Sequence, residues 1–281
     1  MTKIKPLFMW AGGKTKVLKY QLPYLPSAVN ITSYSEPFFG GGAMFLHIMQ
    51  KYNPEHAYIN DINDNIMNIY RSVKENPEEF CNVVDVFQAK YICLSKEDRK
   101  KYFFEVRHAH AYDYQQWSKP FEAGVLYFLM KTGFNGIWQI NKNTNGRYGT
   151  PAGLLNQTDV VYDKQNVFAW NELLQRVNIL CGDYIDCPTG SFTYFDPPYR
   201  DSFTKYGTSW DDTATEKLIE HAKSTDGHVM LCNRCDGSTF FDDRKGDLNL
   251  VRFPVTYTAG RRKKTSTGYA AKPATEILMY S

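Results

Sequence analysis

Glu36-Pro37-Phe38-Phe39-Gly40-Gly41-Gly42-Ala43 decides the fold of this chain. The stretch follows a short segment, 31–35, and opens into an apolar run, 44–49, so it reads as strand, glycine turn, helix. Glycine at the turn lets backbone approach a ligand closely. The pattern Phe-x-Gly-x-Gly is one glycine short of the dinucleotide fingerprint. About 19 residues on, Asn60-Asp61-Ile62-Asn63 follows a second run, 56–59, and an acid at the end of a second strand suits a ribose diol. A glycine turn alone also fits a tight turn with no ligand. Strand and helix signals alternate up to Asp61, which predicts an α/β fold with a parallel sheet.

A second stretch carries chemistry. Asp196-Pro197-Pro198-Tyr199 follows the strand-like run 192–195 and places an acid, two rigid residues and an aromatic ring together. An exocyclic amine on a nucleobase is a poor nucleophile because its lone pair is delocalised into the ring. A carboxylate and a backbone carbonyl that accept the two amine hydrogens draw the nitrogen toward tetrahedral geometry and free that pair as the new bond forms. Asp196 and the Pro197 carbonyl suit these parts, since proline lacks an N–H and holds φ near about −65°. Tyr199 offers a face for an extruded base, a stacking interaction worth roughly 1–3 kcal/mol. By itself the tetrapeptide reads equally as a strand-ending turn. Joined to the glycine turn and Asp61, it indicates a nucleoside-bearing cofactor beside an amine-binding corner.

Between these halves the pattern changes. Residues 64–74, 77–89, 95–107 and 120–131 read as helices, with Ser95 as a cap three residues before Asp98. They span too much chain for a simple crossover, so a mostly helical insertion interrupts the catalytic unit. Strand signals return at 177–180, 192–195, 229–232, 250–257 and 275–280. The expected division is 1–61 and 170–281 for the catalytic parts and 62–169 for the insertion.

The net charge of +3 over 281 residues excludes a uniformly basic nucleic-acid binder. Local charge matters more: from 248 to 275 there are six basic residues and no acidic ones, with Arg261, Arg262, Lys263 and Lys264 in one block. Such a block suits phosphate neutralisation and salt-sensitive binding, or a solvated hairpin tip. Six scattered cysteines with no secretory signal favour a reducing compartment. Cys232-x-x-Cys235 lacks the second ligand pair of a structural zinc site, so no metal is expected. No apolar run approaches the ~20 residues needed to span a bilayer.

With these motifs in hand, the chain resembles the Dam-like (D12 class) adenine-N6 DNA methyltransferases, which use S-adenosylmethionine and release S-adenosylhomocysteine. The likeness begins at Phe8-Met9-Trp10-Ala11-Gly12-Gly13-Lys14, similar to the family's Trp-Ala-Gly-Gly-Lys segment at the methionine end of the cofactor. It runs through Glu36–Gly42 and Asp61-Ile62-Asn63 to Cys181-Gly182-Asp183-Tyr184, which looks like the acid-aromatic pair beside the cofactor adenine. Phe203-Thr204-Lys205-Tyr206 resembles the Phe-Thr-x-Tyr loop near the flipped base, and 275–280 matches the usual last strand. The resemblance implies a Rossmann-like S-adenosylmethionine-dependent methyltransferase sheet with a target-recognition insertion. It assigns Trp10, Lys14, Glu36, Phe38, Gly40, Gly42, Asp61, Asp183, Tyr184 and Asp196 to the cofactor side.

The loop after the last insertion helix, 131–151, resembles the family's DNA-reading hairpin, with Phe134-Asn135-Gly136 matching its Tyr-Asn-Gly portion. Phe134, Asn135, Gly136, Ile137, Trp138, Gln139, Asn141, Arg147 and Pro151 are therefore candidate DNA contacts, able to set an aromatic wedge and amides against base edges. GATC-specific members carry an arginine where this chain has Gln139, and arginine is the usual bidentate reader of guanine. This departure leaves GATC specificity open and makes relaxed or different specificity plausible, with Arg147 as a replacement cation. Double-stranded DNA is the implied partner, with single-stranded DNA and RNA left open because their bases cost less to extrude. A cytoplasmic location in a bacterial or phage-infected cell follows from the same resemblance. A cytosine-N4 methyltransferase is the nearest alternative, although those enzymes more often place Ser before Pro-Pro-Tyr. A methyltransferase fold reduced to DNA binding is another.

Overall fold

A computed structural model describes residues 4–10, 12–136, 138–153, 160–200, 210–257, 263–265, 268–270 and 272–281. The strands are β1 (Ser33–Glu36), β2 (His56–Ile59), β3 (Val177–Ile179), β4 (Phe192–Phe195), β5 (His228–Cys235), β6 (Asn249–Tyr257), β7 (Lys263–Thr265), β8 (Gly268–Ala270) and β9 (Lys272–Tyr280). Seven of them form one sheet in the order β3-β2-β1-β4-β5-β9-β6, and β7 pairs with β8 alone. Contacts among β1 to β5 are parallel, whereas β9 runs antiparallel between β5 and β6. This is a Rossmann-like methyltransferase sheet. From β1 the chain winds outward to β2 and β3, then returns to β4 on the other side and winds the opposite way. The reversal leaves a crevice at the carboxyl ends of β1 and β4, where ligands bind in open α/β sheets.

The helices are α1 (Leu18–Gln21), α2 (Ala43–Lys51), α3 (Asp64–Glu75), α4 (Pro77–Cys93), α5 (Lys96–Tyr112), α6 (Lys119–Thr132), α7 (Lys164–Leu174) and α8 (Asp212–Ser224). Helices α3 to α6 occupy the segment read as a helical insertion, each extending beyond its expected end. Ser95 caps α5 as anticipated: its Oγ accepts from the Asp98 amide at 3.2 Å and donates to Asp98 Oδ2 at 2.7 Å. Helices α7 and α8, which are not among the expected helices, carry capping aspartates. Asp163 accepts from the Asn166 amide at 3.1 Å and Asp211 from the Ala214 amide at 2.8 Å.

The insertion does not stand apart. One apolar core runs from the sheet through α2 into α3, α4 and α6, and Trp170 of α7 stacks on Phe45 of α2 with centroids 5.6 Å apart. The inserted helices and the sheet therefore share one apolar core. No helix among the described residues is long and apolar enough to cross a membrane.

Candidate active site

A cavity of about 1700 Å³ opens across the carboxyl ends of β1 and β4. The glycine turn forms one wall. Gly40 and Gly42 adopt φ of +49° and +63°, the left-handed region that glycine enters without a Cβ penalty. The Gly40 amide donates to Asp61 Oδ2 at 2.9 Å, and the Asn63 amide donates to Asp61 Oδ1 at 3.0 Å. These backbone donors fix the Asp61 carboxylate at the end of β2, where it lines the cavity. Burial lifts the Asp61 carboxyl above its ordinary range, against these amide contacts.

Beside Asp61 lies an aromatic wall. Phe38 stacks on Tyr184 at 5.1 Å and meets Trp210 edge-on at 5.5 Å. Asp183 is exposed and lines the cavity, its Oδ1 accepting from the Ile185 amide at 3.2 Å. Trp210 is a residue that motif reading missed; its only local signal is an aromatic just before the Asp211 cap. The donor set fits S-adenosylmethionine: a fixed acid for a ribose diol, aromatic faces for a purine, and a glycine turn with no side chain in the way.

Glu36 also makes contacts within the fold. Its Oε2 is turned into the floor, accepting from the Tyr34 hydroxyl at 2.7 Å and the Phe45 amide at 3.0 Å. Burial pushes its pKa well above the carboxylate range, the Tyr34 hydrogen bond opposing and the Asp196 charge adding. That carboxyl braces β1 against α2, although it also lines the cavity.

The catalytic corner follows β4. Lys14 is almost wholly buried, and its Nζ lies 2.5 Å from Asp196 Oδ1, donates to Gly12 O at 3.3 Å and sits 4.6 Å from the Tyr199 ring centroid. The Tyr199 hydroxyl donates to Glu276 Oε1 at 2.7 Å, and Glu276 is fully buried on β9. Burial lowers the Lys14 pKa, but the charges of Asp196 and Glu276 outweigh it and leave it raised. Burial raises the Asp196 carboxyl, with Lys14 pulling back and Glu276 adding. Beneath lies a closed triangle: Gln21 Nε2 donates to Cys232 Sγ at 3.0 Å, Cys232 Sγ to the Tyr194 hydroxyl at 3.2 Å, and that hydroxyl to Gln21 Oε1 at 3.0 Å. Cys232 is thus absorbed into the core beneath the site. Among the described residues no cluster of three or more His, Cys, Asp or Glu side chains could hold a metal.

The recognition segment is not a regular hairpin. Two isolated bridges, Gly133 with Ala152 and Ile140 with Tyr148, close it, and tight turns at Phe134–Gly136 and Lys142–Thr144 fill it. Gln139 and Asn135 reach the cavity, and Phe134 is exposed. Two of the expected DNA contacts are engaged within the protein in this arrangement. Trp138 is buried against Trp10 and Tyr148, centroids 5.9 and 5.5 Å away. Arg147 is no free cation: it pairs with Glu122 of α6, donates to Asn65 Oδ1 at 3.2 Å and lies 3.5 Å from the Tyr114 ring centroid. Arg107 of α5 reinforces the brace, donating to the carbonyls of Gly149 and Thr150 at 2.9 Å each. Asn141 is spent on a turn, its Oδ1 accepting from the Asn143 amide at 2.8 Å, and the Pro151 carbonyl accepts from the Phe134 amide at 2.9 Å. Glu122→Ala strands a buried guanidinium and is expected to cost about 3 kcal/mol of stability, read as a lowered urea midpoint. An unchanged midpoint would show that the pair is a bystander.

Ile137, Phe203, Tyr206, Arg261 and Arg262 lie outside the described residues. Gly136 is placed by backbone within its turn, as are Lys263 and Lys264 on β7.

The model of the family described as D12 class N6 adenine-specific DNA methyltransferase matches residues 10–250. The chain is 34% identical over 249 residues to a type II methyltransferase, M.MjaIII, of Methanocaldococcus jannaschii, covering 82% of this chain and 84% of that protein. It is 28% identical over 294 residues to the type II methyltransferase M1.LlaDCHI of Lactococcus lactis subsp. cremoris, covering 98% and 95%. A DNA adenine methylase of Vibrio cholerae is 27% identical over 280 residues, covering 94% of each.

Proposed function

Because the chain belongs to the D12 class of N6 adenine-specific DNA methyltransferases, we propose that it transfers a methyl group from S-adenosylmethionine to the N6 amine of an adenine extruded from double-stranded DNA. The observation that carries this reading is the meeting of Lys14, Asp196 and Tyr199 at the end of β4, in one cavity with Gly40 and Asp61.

When bound, S-adenosylmethionine supplies an electrophilic methyl on a positively charged sulfur. Asp61 holds its ribose, Phe38 and Tyr184 its purine, and the Gly40 turn leaves room for its chain. The target adenine stacks on Tyr199 and donates its amine hydrogens to Asp196 and the Pro197 carbonyl. An amine arriving at Asp196 takes the place of the Lys14 ammonium. Asp196 orients and complements charge rather than abstracting a proton, since even a carboxylate lifted by burial is far too weak a base for a neutral arylamine. As the nitrogen bonds to the methyl carbon, the carbon–sulfur bond would break to leave S-adenosylhomocysteine, and the cationic N6 would then pass its proton to water.

The test is transfer from labelled S-adenosylmethionine to a DNA pool, with nucleoside mass spectrometry of the product. N6-methyladenine supports the reading; N4-methylcytosine would move the chain to the alternative amine, and no transfer would leave a DNA-binding fold. Gln139, at the cavity edge, is the proposed reader in the recognition segment. Gln139→Arg is expected to tighten the preference for guanine at one target position by about 10-fold or more, read by methylation-aware sequencing. An unaltered preference would remove Gln139 from base reading.

A further inference from the structure

Glu276 has no role in the transfer just described, yet its position is unusual. It stands in β9, between β5 and β6, as a fully buried carboxylate in the middle of a sheet, where an ionised group is expensive unless it is engaged. It faces the catalytic corner. The Tyr199 hydroxyl donates to its Oε1 at 2.7 Å, and its charge acts on both Lys14 and Asp196.

Tyr199 is the ring on which the target base stacks, and a tyrosine side chain is free about two torsions unless its far end is held. The backbone is pinned one residue on, where the Arg200 amide donates to Asn233 Oδ1 at 3.2 Å. Glu276 pins the other end of the ring. Lys14 shares this corner: its ammonium is held by Asp196 and lies over the Tyr199 ring, so it occupies two of the three contacts proposed for adenine.

We propose that Glu276 is a positioning residue, fixing the Tyr199 ring by its hydroxyl for the target base to stack on. This rests on the reading of Asp196 and Tyr199 given above. Glu276 acts through Tyr199.

Glu276→Gln keeps the shape and an acceptor for the hydroxyl but removes the charge; Tyr199→Phe keeps the ring but removes the donor. Each is expected to lower kcat on DNA about tenfold, the difference between a charge-assisted and an ordinary hydrogen bond, with S-adenosylmethionine affinity within about twofold of the parent. The double variant is expected to be little worse than the worse single one, because both changes break one linkage. Fluorescence of 2-aminopurine at the target position should report weaker stacking in both. Parent-like kcat in Glu276→Gln would overturn the proposal, as would multiplicative losses in the double variant. Loss of cofactor binding and cooperative melting together would reduce Glu276 to a structural carboxylate; in that event Tyr199→Phe still decides, since parent-like turnover there also overturns it. If the parent enzyme transfers no methyl to DNA, the underlying reading falls and this one with it, an outcome distinct from a normal parent with an indifferent variant.

Discussion

Asp196→Ala is expected to cut methyl transfer to DNA by at least about 10²–10³-fold while S-adenosylmethionine binding stays within a few-fold of the parent. The size follows from what the carboxylate does. It is the charged acceptor aimed at an amine whose hydrogens grow more acidic as the nitrogen bonds to carbon, so its contact strengthens in the transition state. The groups proposed to hold the cofactor's ribose and purine, Asp61 and the Phe38 and Tyr184 wall, are formed without Asp196. Asp196→Asn should fail similarly, because its amide turns donors toward a donor and removes the carboxylate that Lys14 pairs with. Single-turnover yields of N6-methyladenine, with calorimetric titration of the cofactor, separate the two effects. A variant with parent-like turnover would remove Asp196 from the chemistry.

The opposite pattern is expected from Gly40→Ala: cofactor affinity falls about 100-fold, and turnover at saturating cofactor recovers in part. A Cβ there would lie 2.6 Å from Trp10 Nε1 and 2.7 Å from Trp10 Cδ1. Trp10 has little room to yield, with Phe8 on one side and Trp138 on the other. An L-residue in the left-handed region costs roughly 1–2 kcal/mol, and overpacking adds about 1–3 kcal/mol. Part of that strain is relieved by shifting the turn, which moves the Gly40 amide away from Asp61 and misaims the ribose acceptor. Titration calorimetry reads the affinity and thermal melting the strain. Unchanged affinity would place the cofactor away from this turn.

What was legible in the sequence was what the chain encodes locally. Glu36–Gly42, Asp61 and Asp196–Tyr199 each sit at the carboxyl end of a short strand, and the pattern around the first two announces strand, turn and helix. Glu276 was invisible as part of the site because it approaches Tyr199 from a strand 77 positions away in sequence. Trp210 was missed because its neighbours Phe38 and Tyr184 come from two other loops. Arg147 was misjudged for the converse reason. A cation in a polar loop looks free until a folded partner, Glu122 on α6, is brought beside it. Pairing across the sheet and between layers decides such cases, and a single sequence carries no local trace of it.

The place of β9 between β5 and β6 has a consequence for how the enzyme comes into being. A ribosome makes β5 and β6 well before it makes β9, yet the two earlier strands have no contact in the sheet until the later one slides between them. Residues 272–280 therefore join the two earlier strands: without them the edges of β5 and β6 are open to pairing with a neighbouring chain, and the corner at the end of β4 lacks its Glu276 wall.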